Sequence, residues 1–121
     1  MSSGWIGVDL DGTIAEYHGW VSPTHIGAPI PKMVERVKVW LSEGKEVRIF
    51  TARVFPGGRV SEEELAQVRT SIREWCTEHI GTVLPLTCTK DYGMIELWDD
   101  RAVQVVPNTG ERADNRVDGG L

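Results

Sequence analysis

Short apolar runs alternate with runs of helical period along this chain, and that order restricts the fold more than any other feature. Gly4 to Asp9 reads as a strand, apolar at Trp5, Ile6 and Val8 and closed by Asp-Gly punctuation. Pro31 to Glu43 places Met33, Val34, Val37, Trp40 and Leu41 on one helical face, with Pro31 suited to the first turn and Gly44 to the stop. Glu46 to Thr51 is a second strand. Ser61 and Glu64 form a capping box that opens a helix to about His79, with Leu65, Val68, Ile72, Trp75 and Cys76 inward. Strands are expected over Val83 to Thr89 and Met94 to Trp98, and a short fifth over Ala102 to Val106. Such alternation implies an α/β fold with a mostly parallel sheet and helices on its faces.

In open parallel sheets, ligands bind beyond the carboxyl ends of the strands. That edge receives the polar residues here. Asp9 and Asp11 follow the first strand, Thr51 and Arg53 the second, Lys90 the third, and Asp99 and Asp100 the fourth. Four strands thus deliver chemistry-bearing side chains to one rim.

Asp9-Leu10-Asp11-Gly12-Thr13 is the most specific of these segments. Two carboxylates two residues apart at a strand end reach the same small volume as the chain curls. One can attack phosphorus to form an aspartyl-phosphate. The other can protonate the leaving oxygen and later deprotonate water. Gly12 lets the backbone turn away, and Thr13 can bond the loop backbone. Asp99 and Asp100 are adjacent acids that repel each other, a cost that a cation relieves, and magnesium prefers such oxygen ligands. Thr51 can donate to a phosphoryl oxygen. Lys90 can pair with the phosphoryl group. Arg53 can fork onto a phosphate or an acid. Tyr17 and Trp20 follow the first motif directly, where they either stack on a substrate ring or pack over the flap.

These residues resemble the haloacid dehalogenase superfamily of phosphohydrolases. Asp9 to Thr13 is similar to its first motif, Val47-Arg48-Ile49-Phe50-Thr51 to its second, Lys90 to the basic residue of its third, and Ile95-Glu96-Leu97-Trp98-Asp99-Asp100 to its fourth. The resemblance covers about residues 4 to 106, in order. It implies a Rossmann-like three-layer sandwich over 4–107; the polar, Gly-rich remainder, 108–121, is expected to be a flexible tail. It implies Asp9 as nucleophile, Asp11 as acid and base, and Thr51 and Lys90 as catalytic partners. Thr51, Arg53 and Lys90 are the implied substrate-binding set. It further implies Mg2+ held by Asp9, the Asp11 carbonyl and Asp99, with Asp100 as outer or alternate ligand. Only 17 residues separate Thr13 from Pro31 and nine separate Thr51 from Ser61, so neither gap holds a cap domain. Thr51-Ala52-Arg53 and Asp99-Asp100-Arg101 also resemble the phosphatase domain of polynucleotide kinase/phosphatases, which implies a polynucleotide 3′-phosphatase or a nucleotide phosphatase as the narrower alternative. A non-catalytic phosphate-binding module on the same fold is the alternative of another class.

Composition bounds the partners. A chain of 121 residues suits one domain. A net charge of −5 argues against a large footprint on duplex nucleic acid, yet it admits a phosphorylated small molecule or a nucleic acid end. No apolar run approaches the roughly 20 residues that span a bilayer, and Met1 to Trp5 lacks the regions of a signal peptide, so the expected location is cytoplasmic, with no membrane partner. Cys76 and Cys88 read as buried small hydrophobes, because a cytoplasmic disulfide is rare.

Overall fold

The computed structural model describes residues 4–116. The chain forms an α/β, Rossmann-like sandwich around a four-stranded, all-parallel sheet. The elements run β1 (Trp5–Asp9), α1 (Pro31–Ser42), β2 (Glu46–Phe50), a single 3-10 turn (Ala52–Val54), α2 (Glu62–His79), β3 (Leu86–Thr87) and β4 (Met94–Trp98). The spatial order is β3-β2-β1-β4.

Register fixes which side chains share a face. Ile6 pairs with Val47 and Val8 with Ile49, and all four lie in one core with Met33, Val34, Val37 and Trp40 of α1 and Val68, Ile72, Trp75 and Cys76 of α2. Both helices therefore cover the same face. Right-handed crossovers require this, since β1, β2 and β3 are laid down in one direction across the sheet. α1 starts at Ile30 without a side-chain cap. Burying its four apolar residues, at about 1.5–3 kcal/mol each, outweighs the roughly 1 kcal/mol of a missing cap. α2 has the full capping box: Glu64 N–H donates to Ser61 Oγ at 3.1 Å and Ser61 N–H to Glu64 Oε1 at 3.2 Å.

The opposite face is covered differently. Trp5 is buried there under the chain segment that returns from β3 to β4. Its indole Nε1 donates to Asp91 Oδ1 at 2.8 Å, and the Arg48 guanidinium lies 4.4 Å from its ring centroid. Among the described residues, the three-layer arrangement thus has helices in one outer layer and an irregular strap over the other.

Two strands differ from expectation. β3 is two residues long, because Pro85 has no N–H for a ladder, although its carbonyl accepts from Ile49 at 2.9 Å. Ala102 to Val106 does not join the sheet. It folds back on 111–113 as a small hairpin, with Val106 N–H donating to Glu111 O at 2.8 Å and Ala113 N–H to Gln104 O at 2.9 Å. Its turn uses positive φ at Asn108 and Gly110. Residues 108–113 of the segment expected as a tail therefore belong to this hairpin, and 117–121 lies outside the described residues. No helix among the described residues is long and apolar enough to cross a membrane.

Candidate active site

The order β3-β2-β1-β4 reverses direction at β1, where the chain leaves β3 and returns to the far side of β1. A crevice opens at such a switch point, beyond the carboxyl ends of the two strands on either side. Asp9 ends β1, and Asp99 and Asp100 follow β4. Oxygens of all three carboxylates lie within 4.8 Å of one another. They line a cleft of about 430 Å3 together with Asp11, Tyr17, Trp20, Phe50, Thr51, Ala52, Arg53 and Arg101. A larger hollow of about 560 Å3 lies by the C-terminal end of α1, lined by Trp40, Trp98, Glu43, Lys45, Glu46 and Glu96, but among the described residues its acids do not converge as Asp9, Asp99 and Asp100 do.

The loop after β1 is built to bring the carboxylates together. Leu10, Ile14 and Ala15 are fully buried, and the Leu10 carbonyl accepts from Ile14 and Ala15 at 3.2 and 2.9 Å. This tight turn passes through Gly12 at φ +86°, where a Cβ would sit 2.5 Å from Asp100 Oδ2. Only glycine meets both demands. Thr13 then ties the two strands: its Oγ1 accepts from Asp100 N–H at 3.1 Å and lies 3.4 Å from Asp9 Oδ2.

Asp9 is half-buried, and its carboxyl is pushed up to about 7. Burial is the main cause. A hydrogen bond with Asp100 and the charges of Asp99 and Asp100 add to it. Three hard oxygen donors whose mutual repulsion disfavours ionisation suit magnesium or another hard divalent cation.

Asp11 is turned away from this cluster. Arg53 forks onto it, Nε to Oδ2 at 2.8 Å and Nη2 to Oδ1 at 2.9 Å. The Asp11 carboxylate is thus not among the clustered acids. Arg53 takes the acid-pairing role of its two expected ones. Its side chain is only 7% exposed, and Nη1 donates to the carbonyls of Ser22 and Pro23 at 3.3 and 2.9 Å. Thr51 is buried and accepts the Arg53 N–H at 3.2 Å, so its own hydroxyl proton is left to donate into the cleft.

Lys90 is exposed and does not line the cleft. Arg101 does, next in sequence to the carboxylate pair, with its N–H donating to Asp99 Oδ1 at 2.7 Å. In the sequence Arg101 stands out only as the third residue of Asp99-Asp100-Arg101, with no role of its own. Its position directly after Asp99-Asp100 was the available signal. The Gly12–Pro29 segment is a flap with a closed base: Glu16 N–H donates to Ala28 O at 2.8 Å, and Trp75 Nε1 bonds Gly27 O at 2.9 Å.

No family model matches the chain, and no curated protein matches it. Among solved structures it is similar to a conserved protein from Bacteroides thetaiotaomicron, with 24% identity, a TM-score of 0.54, and coverage of 88% of this chain and 83% of that one. That likeness concerns the fold.

Proposed function

We propose that the protein is a magnesium-dependent phosphomonoester hydrolase of the haloacid dehalogenase type. The observation that carries this reading is the meeting of Asp9, Asp99 and Asp100 at the sheet's switch point, beside Asp11 in its guanidinium fork. Asp9, Asp99 and the Asp11 carbonyl would hold the ion, with Asp100 beside them. When bound, it would offset the charge of the carboxylates and of the phosphoryl oxygens.

Asp9 attacks phosphorus through a carboxylate oxygen, and the bond from phosphorus to the leaving oxygen breaks. Asp11 gives its proton to that oxygen, so the alcohol departs neutral. Asp11, now a carboxylate, takes a proton from water as the water oxygen attacks the aspartyl-phosphate. The bond to Asp9 breaks, and inorganic phosphate leaves. Arg53 aims Asp11 while leaving lone pairs on its oxygens for the travelling proton. The Thr51 hydroxyl and Arg101 bind phosphoryl oxygens, where charge grows in the transition state. The two free thiols, one of them buried, suit a reducing cytoplasm.

Rapid quench with phosphate-labelled aryl phosphate and Mg2+ tests this. Wild type is expected to carry transient label on Asp9, Asp9→Asn none, and Asp11→Asn persistent label with slow release. Label on Asp9→Asn, or normal turnover by Asp11→Asn, would contradict the assignment. Phosphate binding by wild type with no turnover of any phosphomonoester would mark a non-catalytic module instead.

A further inference from the structure

The flap places a large apolar side chain where packing does not account for it. Trp20 is 60% exposed, yet the flap is anchored at its base through Ala28 and Gly27 and near its tip through the carbonyls of Ser22 and Pro23. The Arg53 guanidinium lies 5.0 Å from the Trp20 ring centroid. Because the Arg53 side chain is almost wholly buried, it supports the inner face of the indole, and the exposed surface of the ring is left to solvent. Trp20 lines the same cleft as Asp9, Asp11 and Asp99. One guanidinium therefore fixes both the acid–base carboxylate and an aromatic plane. At about 430 Å3 the cleft is large enough for a phosphate and a ring together.

We infer that Trp20 is a stacking platform for substrate, so that the phosphomonoester accepted here carries a planar heterocycle: a nucleotide, either free or at the end of a strand. This rests on the phosphatase reading. Indole stacking binds any base through its π face and is sequence-tolerant. A cation held behind the ring completes the arrangement. Past Trp20 a second hollow of about 170 Å3 leads to Phe55, which is 54% exposed, and to Arg59. That hollow offers a ring and a charge at the place where a neighbouring nucleotide of a strand end would lie. The net charge of −5 limits the contact to such an end and disfavours a long tract.

The test compares kcat/KM, with Mg2+, for nucleoside 3′- and 5′-monophosphates, for ribose 5-phosphate as the counterpart without a planar ring, and for a 3′-phosphorylated oligonucleotide. Wild type is expected to favour the ring-bearing substrates by roughly tenfold or more. Trp20→Ala should bring that ratio close to one, chiefly through KM, and Trp20→Phe should restore most of it. A wild-type ratio near one, or a ratio that Trp20→Ala leaves intact, overturns the inference. Phe55→Ala separates the two sources, and either result supports the shared chemistry: a selective loss on the oligonucleotide marks a strand end, and no change marks a free nucleotide. Calorimetric titration of Asp9→Asn with a nucleoside monophosphate reads binding without turnover. If wild type hydrolyses nothing but Trp20-dependent nucleotide binding persists, the phosphatase reading falls and Trp20 stands as a stacking platform for a bound nucleotide. Hydrolysis without ring selectivity overturns this one alone.

Discussion

Replacing Asp9 by Asn separates the electrostatic cost of the site from its metal affinity. In the folded chain the Asp9 carboxyl is raised from its ordinary value near 3.8 to about 7, first by burial and then by Asp100 and Asp99. Between those values the folded state binds more protons than the unfolded one, so raising the pH lowers stability. The loss begins above about pH 4 and is complete above about pH 7. At 1.36 kcal/mol per tenfold, the ceiling is about 4 kcal/mol. Asp9 is only half-buried, and solvent and salt screening bring the expected figure to about 2 kcal/mol. Asn carries no charge, and its amide can still donate to Asp100. In chelator, Asp9→Asn should therefore match wild type near pH 4 and exceed it by about 2 kcal/mol at pH 7.5. Excess Mg2+ should reverse the order, since ligand at a hundredfold its Kd stabilises wild type by about 2.7 kcal/mol. Urea denaturation at pH 4.5, 6 and 7.5, each with chelator and with Mg2+, measures all of this. A stability difference that stays flat with pH, or equal stabilisation of both proteins by Mg2+, would refute the reasoning.

Other positions give sharper contrasts. Gly12→Ala forces a Cβ to within 2.5 Å of Asp100 Oδ2 at a φ of +86°; the backbone strain costs about 1–2 kcal/mol, and the displaced Asp100 should weaken the Mg2+-induced shift in Tm. Arg53→Lys keeps the charge but loses the fork and the Ser22 and Pro23 bonds, so about 1–3 kcal/mol of stability should go, and kcat should fall by roughly a hundredfold. Lys90→Ala, at an exposed position, should leave stability within about 0.5 kcal/mol. Arg101→Ala should raise KM by roughly tenfold through the loss of a charge-assisted contact, and a larger effect from Lys90→Ala would return the phosphate-binding role to the lysine.

Much of the fold is legible because local signals and burial agree. Pro31, Gly44 and the Ser61–Glu64 box mark helix ends that the structure keeps to within a residue. β2 is written in alternation, with Val47 and Ile49 buried between Glu46, Arg48 and Phe50, whereas β1 is apolar on both faces: Ile6 and Val8 face the helices, while Trp5 and Gly7 face the strap. The misreadings share one cause. Val83 to Thr89 and Ala102 to Val106 are apolar enough to be strands, but strand formation also needs N–H groups and a partner edge. Pro85 removes the first for one segment, and the 111–113 segment supplies a local alternative to the sheet for the other. That the second face of the sheet is closed by Asp91, Gly93 and Arg48 around Trp5 is a long-range arrangement with no periodicity to announce it.

The candidate site divides along the same line. Asp9, Thr51, Asp99 and Asp100 are legible because each follows an apolar strand, and the sheet alone carries them to one rim. Arg53 is different. Its type and position admit either an anion or an acid as partner, and the choice depends on where the flap carbonyls of Ser22 and Pro23 fall, about 30 residues earlier in sequence. Once those carbonyls take Nη1, the remaining edge of the guanidinium presents Nε and Nη2 side by side, which is the geometry of a carboxylate fork. Asp11 is the carboxylate in reach, because the turn after Leu10 has already separated it from Asp9. The flap thus settles the orientation of the proposed acid–base residue through a single side chain. It follows that flap substitutions which move the 22–23 carbonyls should alter kcat without touching any carboxylate, and that deleting the Arg53 side chain should make kcat insensitive to those same substitutions. A double-mutant cycle between Arg53→Ala and a flap-tip variant such as Pro23→Gly measures this coupling, and strictly additive effects on kcat would sink it.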